Sequence, residues 1–291
     1  MHNPLIPEYL FHPRQILRRI LFRPSMNQVK LPLPWNCEIG VHSTHESIGR
    51  AIATQGVYDL AITEAAMRLI FPGETVLDVG ANCGYMSLVL ALSAGVRGEV
   101  FSFEPNPEVL PILEANITRW QALPIAPIYN TCAALSNYDG SATLSIPLTD
   151  SNCGLASLES TNLKSKPVSV KTFKLDSFNL GHIGLMKIDI EGHEASCLQG
   201  AKKMFAGRLI RDVLFEEHQP YPALSHKILE SCGFTIFALG YSFWRPLLLP
   251  PEELPDKSHP SNFLATLEPQ RAQDRFKTYG WKTFRKKGLN D

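Results

Sequence analysis

The chain of 291 residues carries 28 basic and 28 acidic side chains, a formal charge of zero that argues against a nucleic-acid backbone as its main partner. Hydrophobic residues make up 44% and charged ones 19%, ample for a sizeable core, so global disorder is excluded. The length allows one large domain or two modest ones, and the 22 prolines exceed the average share of roughly 5%.

Six cysteines (Cys37, Cys83, Cys132, Cys153, Cys197, Cys232) are dispersed without a CxxC pair. In so long a chain they read as reduced thiols of a cytoplasmic protein, not as a disulfide framework or zinc site. Cys83 and Cys132 read as small buried fillers. The N-terminal arginines lie inside the apolar stretch 10–23, the wrong order for a secretory leader, and no run of about 18 apolar residues reads as a membrane span.

Neutrality is an average. Residues 1–30 hold Arg14, Arg18, Arg19, Arg23 and Lys30 against Glu8, and residues 271–291 hold seven basic groups against Asp274 and Asp291, so the middle is acidic. The first end predicts an amphipathic helix with Leu10, Ile16, Leu17, Ile20 and Leu21 on one side and Arg14, Arg18 and Arg19 off it. Such a helix ordinarily packs on its own domain with solvated arginines; the alternative is an anionic membrane surface. The last stretch, 276–287, interleaves aromatics with charge and reads first as a solvated tail, with lipid or nucleic-acid contact as the alternative.

Between the ends, short β-rich runs alternate with helical ones. Strands are predicted over 75–79, 99–103 and 127–132, with helices over 85–94 and 107–120 between them. The runs 142–146 and 168–173 read as a hairpin-like insertion, about 138–175. Strands over 184–190 and 212–216 bracket a helix from about 194 to 205. Strands over 234–239 and 263–267 finish the set as an antiparallel pair joined by a proline-studded loop (Pro246, Pro250, Pro251, Pro255, Pro260). This alternation predicts a parallel sheet covered on both faces. The division expected is an N-terminal extension over 1–55, the main domain over 56–270 and a basic C-terminal tail over 271–291.

The strongest local signal is Val76-Leu-Asp78-Val-Gly80-Ala-Asn82-Cys-Gly84-Tyr, a strand that ends near an acid and turns through glycines into a helix. The glycines read GxxxG and not GxGxxG, so the pyrophosphate cradle of a dinucleotide site is missing. The acid would repel phosphates and suits a ligand with an ammonium and a sulfonium group. Glu104, at the tip of the next predicted strand and 20 residues after Gly84, is placed to accept hydrogen bonds from ribose hydroxyls. Together these point to S-adenosylmethionine.

At this point the sequence resembles the FkbM-type methyltransferases of the class I S-adenosylmethionine-dependent enzymes. The likeness spans about 56–217 and rests on Gly56-Val-Tyr-Asp, Asp78-Val-Gly-Ala-Asn-Cys-Gly-Tyr, Phe103-Glu-Pro-Asn-Pro and Ala133-Ala-Leu-Ser. It continues through Asn152-Cys-Gly-Leu-Ala-Ser, Leu175-Asp, Lys187-Ile-Asp-Ile-Glu-Gly-His-Glu, Leu198-Gln-Gly-Ala and Leu214-Phe-Glu-Glu. The resemblance implies a Rossmann-like, seven-stranded, mostly parallel sheet with the last strand antiparallel and helices on both faces. It implies O-methylation of a hydroxyl on a sugar, glycan or natural product, with cofactor-binding positions Asp78, Gly80, Asn82, Gly84, Glu104, Ala133, Ala134 and Asp189. Residues 1–50 and 220–291 lie outside the motifs and are where substrate choice is expected.

A neutral hydroxyl is a poor nucleophile, so a base or a metal is expected to help remove its proton. Ligands of open α/β sheets lie beyond the carboxyl ends of the strands, which makes Asp189, Glu191, His193, Glu216, Glu217 and His218 candidates. His218 is one expected base, with Asp189 and Glu191 beside it. The less favoured alternative is a Mg²⁺ held by Asp189 and Glu216. One acid among Glu191 and Glu194 is expected only to serve the start of the following helix. His42 and His45 read as a polar loop, and Asn152-Cys-Gly154 as either a lid over the pocket or an ordinary turn. The expected partner is a small-molecule, glycan or lipid-linked acceptor, with peripheral membrane contact through the basic ends. A nicotinamide-dependent oxidoreductase and a non-catalytic cofactor-binding module are the competing classes.

Overall fold

Apolar side chains alternating along short runs build the central sheet. In β3 (Thr75–Val79) Val76 faces one core while Leu77 and Val79 face the other. The same two-residue period splits β9 (Ile183–Ile188), β10 (Ile210–Glu217) and β13 (Ser261–Thr266) between two hydrophobic clusters, one on each face. The structure is a computed structural model and is described for residues 12–148, 156–159, 164–253 and 261–284.

In chain order, α1 (Pro13–Leu21) is followed by a hairpin of β1 (Val29–Pro32) and β2 (Glu38–Val41), then α2 (Ser47–Gln55) and α3 (Leu60–Leu69). After β3 come α4 (Tyr85–Ala94), β4 (Glu99–Phe103), α5 (Leu110–Trp120) and β5 (Ile128–Thr131). Next, β6 (Ala134–Leu135), β7 (Gly140–Pro147) and β8 (Ser165–Phe173) form a separate three-stranded sheet, the expected insertion with one strand more than a hairpin. The chain returns through β9, α6 (Glu194–Gln199), α7 (Lys202–Ala206), β10, α8 (Leu224–Ser231), β11 (Thr235–Tyr241), β12 (Pro246–Leu249), β13 and α9 (Pro269–Phe276).

The main sheet runs β12-β11-β13-β10-β9-β3-β4-β5. β5, β4, β3, β9 and β10 are parallel, and β13 is antiparallel to both β10 and β11. This is the expected mostly parallel sheet with a reversed last strand. It has eight strands where seven were expected, because the proline-studded loop contains β12, an edge strand opening at Pro246 where a missing N–H is tolerated. The helix expected over 194–205 is two helices. Asp176 accepts hydrogen bonds from Lys203 N (2.8 Å) and Met204 N (3.1 Å) and so starts a new one after Gly200.

The flanking segments are part of the body. Asn116 on α5 grips the β1–β2 hairpin, accepting from Gly40 N and donating to Gly40 O and Cys83 O at 2.7–2.8 Å. The solvated tail expected from residue 271 is corrected over 271–284: α9 packs on α3, and Trp281 and Thr283 are buried. Two buried charges on α3 explain this. Arg68 donates to the carbonyls of Arg275, Thr278 and Gly280, and Glu64 accepts from Lys282 N, Thr283 N and Thr283 Oγ1 while pairing with Arg68 at 2.7 Å. α1 also departs from expectation, because Arg18 turns toward the body while Ile16, Leu17, Ile20 and Leu21 face outward. Cys83 is buried as expected, but Cys132, at the end of the edge strand β5, is exposed. The five described cysteines are free thiols, and among the described residues no helix is long and apolar enough to cross a membrane.

Removing one partner of a buried ion pair leaves an uncompensated charge. Arg68→Ala is therefore expected to lower stability by about 3–5 kcal/mol. It should also make residues 269–284 the first site of limited proteolysis, as read by urea unfolding and by mass analysis of the fragments.

Candidate active site

The turn after β3 follows from its glycines. Gly80 has φ +80°, and a Cβ there would stand 1.9 Å from Asp189 O, so only glycine lets the β3 and β9 ends approach this closely. Gly84 (φ +88°) precedes α4, where a Cβ would meet Leu113 at 2.7 Å. Asn82 lies between them at φ +49°, and its backbone N donates to Glu104 Oε2 at 2.7 Å. Glu104 Oε1 accepts from Asn106 N at 2.8 Å. Burial pushes the Glu104 carboxyl up, and the two backbone donors work against it. The carboxylate is thus fixed by N–H groups with acceptor capacity remaining on both oxygens.

Asp78 does not line the cavity. It is fully buried beneath the turn, with Oδ2 accepting from Ser87 Oγ at 2.5 Å and Oδ1 facing Lys187 Nζ at 3.4 Å. Asp78 and Lys187 are register partners on β3 and β9, which puts both side chains on one face of the sheet. Lys187 also donates to Gly80 O at 2.9 Å and stands 3.6 Å from Asp189 Oδ2. Burial works to lower the Lys187 ammonium, but Asp189 and Asp78 overcome it and hold the group above its ordinary range. Asp189, 27% exposed, and the nearly buried Lys187 both line the cavity, whereas Asp78 lies behind them.

The cavity extends from Glu104, Pro105, Asn106 and Val109, past Ala134 and Leu135, to Asp189, Glu191 and His193. Gly80 and Asn82 line it, whereas Gly84 and Ala133 stand behind the lining. Glu46, Ser47 and Ile48 ahead of and within α2, Tyr58, and Ala156 and Leu158 of the insertion complete the wall. The segment Asn152-Cys-Gly154 lies outside the described residues.

After β9 the chain turns sharply through Glu191 (φ +53°) and Gly192 (φ +97°). Glu194 shapes this turn by accepting from Ile190 N and Gly192 N, the helix-start role expected of one of these acids. The insertion pins it from outside, with Ser157 Oγ donating to Glu191 O at 2.8 Å. Glu191 Oε2 is 3.6 Å from His218 Nε2, and its carboxyl is pushed up to about 7 by burial, then by Asp189 and Glu194. His218 stands outside the lining. His193 lines the cavity but is held at both ring nitrogens, Nδ1 2.7 Å from Glu159 Oε1 and Nε2 2.9 Å from Ser136 Oγ.

Glu216, at the end of β10, is pushed up to about 8 by burial and then by Asp189, Asp59 and Glu191. Glu217 points elsewhere, accepting from Ser225 Oγ and Gln219 N. Asp59 caps α3 through Ile62 N and accepts from Asn262 Nδ2. Tyr58 faces this acidic group, and burial followed by Asp189 raises its hydroxyl far above the ordinary range. Among the described residues no group of three or more His, Cys, Asp or Glu side chains is arranged to hold a metal ion. Beside Asp189 a cation is already present, the Lys187 ammonium. His42 Nδ1 lies 3.5 Å from Glu46 Oε1, a local pair.

Sequence reasoning assigned no role to Lys187 or Tyr58, although both stand in the quoted runs Lys187-Ile-Asp and Gly56-Val-Tyr58-Asp. No sequence signal marked Glu46, Ser47 or Ile48 as part of the wall.

A mostly parallel sheet with a reversed last strand, a glycine turn at its switch point and an acid at the next strand tip define a class I methyltransferase. The profile of the methyltransferase FkbM domain matches residues 78–236, more than half of the chain, and the protein belongs to that family. Among solved structures, methyltransferase FkbM from Methylobacillus flagellatus is similar at 16% identity and a TM-score of 0.43, over 67% of this chain and 43% of that one. The chain thus spans under half the length of that relative. A SAM-dependent O-methyltransferase from Thermotoga maritima aligns at 14% identity and a TM-score of 0.45, over 88% and 97% of the two chains. Aeropyrum pernix fibrillarin, solved with bound S-adenosyl-L-methionine, aligns at 12% identity and a TM-score of 0.40, over 68% of each chain. Comparison with curated proteins returns no match.

The raised carboxyls set a pH dependence. A carboxyl that titrates higher in the folded chain than in the unfolded one binds more protons when folded between the two values, so stability falls as pH rises through that window. For Glu191 and Glu216 the window opens near the ordinary carboxyl value of 4.5 and closes at about 7 and about 8. Glu216→Gln is expected to flatten the fall and leave the variant more stable than the parent above about pH 8. Chemical denaturation across the pH range reads this; an unchanged slope in the variant would remove Glu216 as the source.

Proposed function

We propose that the protein transfers a methyl group from S-adenosylmethionine to a hydroxyl of a small-molecule acceptor, a sugar, glycan or other natural product. The single observation that carries this reading is one cavity bounded by the backbone-fixed Glu104 at one end and by Asp189 and Glu191 at the other. These residues fit the cofactor's chemistry. Glu104 has acceptor capacity for ribose hydroxyls, Val109, Ala134 and Leu135 offer apolar surface for a base, and Asp189 offers negative charge to an ammonium or sulfonium. The family membership separates this reading from a nicotinamide-dependent oxidoreductase.

Bound S-adenosylmethionine supplies an electrophilic methyl group; as the acceptor oxygen bonds to it and the bond to sulfur breaks, the hydroxyl proton must leave. Glu191 takes that proton. It lines the cavity, titrates near neutrality and is backed by His218 at 3.6 Å, through which the proton passes to solvent. Asp189, paired with Lys187, adds to the burial that keeps Glu191 basic. Tyr58, which burial and Asp189 hold protonated, donates from the cavity wall and orients the acceptor. Ala156 and Leu158 of the insertion add apolar wall and restrict water.

Incubation with the cofactor and a panel of hydroxylated acceptors, read by mass gain, tests the reaction. Turnover is expected to rise with pH through about 7 as Glu191 ionises. Glu191→Gln should lose about 10²–10⁴ in kcat while cofactor affinity measured by calorimetry is retained. His218→Ala should lose less, and full turnover there would exclude the relay. Glu104→Ala should weaken cofactor affinity by about tenfold to a hundredfold, the loss expected for hydrogen bonds to a charged group.

A further inference from the structure

The nine-residue helix α1 presents an inverted face. Its polar side holds it to the body: Arg18 donates to Ile52 O (3.3 Å) and Pro32 O (3.4 Å), and the helix packs on α2. A Cβ on Gly56 would stand 2.6 Å from Arg18 Nη1 and 3.3 Å from Gln15 Oε1, so glycine at the end of α2 is what allows this approach. The opposite side is apolar, with Ile16 42%, Leu17 55%, Ile20 73% and Leu21 67% exposed. At 100° per residue these four occupy roughly 140° of the helix, bordered by Arg14 on one side and Arg19 on the other. Arg23 follows, and the helix carries no acidic residue.

From this arrangement we infer that α1 is a docking surface for an anionic lipid membrane. The apolar arc would lie among the acyl chains while Arg14, Arg19 and Arg23 reach the headgroup phosphates, the geometry of an interfacial helix. Two observations favour lipid over a second copy of the chain. Four side chains on a helix about 14 Å long offer far less than the ~800 Å² per partner of a stable protein interface. A symmetric pairing would also bring two arginine borders together, which like-charge repulsion opposes. The position has a consequence for the site: α2 carries α1 near its C-terminal end and Ser47 and Ile48 of the cavity wall at its N-terminal end. A membrane held by α1 lies within one short helix of the pocket.

The inference stands apart from the methyl-transfer reading, because vesicle flotation measures it without turnover. The full chain is mixed at low salt with vesicles of equal parts phosphatidylglycerol and phosphatidylcholine, or of phosphatidylcholine alone. Wild type should float with the anionic vesicles and bind the neutral ones at least tenfold more weakly. Reversing two border charges, R14E/R19E, should cost roughly tenfold or more, since each basic residue near an anionic surface contributes ~1 kcal/mol. I16E/I20E should abolish flotation with unchanged thermal unfolding and cofactor affinity, and I16S/I20S should do so without added negative charge. Wild type that fails to float with anionic vesicles overturns the inference. So does an I16S/I20S variant that floats as wild type does, or a dimer in light scattering that I16S/I20S dissolves.

Discussion

The site depends on one buried lysine between two carboxylates. Lys187 on β9 is in register with Asp78 on β3, at the point where the strand order of the sheet reverses direction. Its ammonium contacts both Asp78 and Asp189 and the carbonyl of Gly80, so one side chain ties two strands and the turn that leaves one of them. The position of Gly80 then fixes Asn82, whose N–H holds Glu104 on the following strand. Burying these charges is costly in isolation, and the arrangement is tolerated because each group has opposite charge or a donor in reach. Lys187 therefore positions the site from within the cavity wall, and Asp78 does so from behind it.

Beyond that triad the balance of charge is deliberately incomplete. Asp189, Asp59, Glu191 and Glu216 act together on the ring of Tyr58, and Lys187 is the ammonium that opposes them in each shift that involves Glu191 or Glu216. Burial first, and then this surplus of negative charge, pushes the Glu191 and Glu216 carboxyls up to about 7 and about 8 from near 4.5. A cation entering the cavity favours the ionised carboxylates, and a neutral hydroxyl beside Glu191 meets a group able to exchange a proton near neutrality. In the proposed reaction one cluster thus serves both electrostatic attraction and proton transfer.

Much of this was legible from residue order. The bounds of β3, α4 and β4 follow from the glycine turn at Gly80 and Gly84 and from the apolar runs on either side of it. Glu104 was legible because its spacing from the glycine turn has a geometric meaning. Asp78 was recognised as important, but its direction was not, because the register that pairs it with Lys187 is a long-range property. The same limit applies to the C-terminus: Arg271, Arg275 and Lys282 look like tail residues until Arg68, Glu64 and Asp212 are folded opposite them. Arg18 misled in the other direction, since an arginine read as solvent-facing bonds to Ile52 and Pro32 of the body. Pattern identifies faces; packing decides which face turns inward.

The cavity wall divides along the same line. The family match begins at Asp78, and the residues that hold the turn, Glu104 and the Asp189–Glu191 segment lie within it. Glu46, Ser47, Ile48 and Tyr58 also line the cavity and precede the match, whereas no lining residue comes from positions after His193 among those described. Substrate choice was expected from both ends of the chain; among the described residues, of these two ends only the N-terminal one contributes to the wall. That side is carried by α2, which the Gly56–Arg18 contact couples to α1. α1 and the Ser47–Ile48 part of the wall therefore sit at the two ends of one short helix, whereas the turn beside Glu104 and Asp189 is held by the Lys187 contacts and the β3–β9 register.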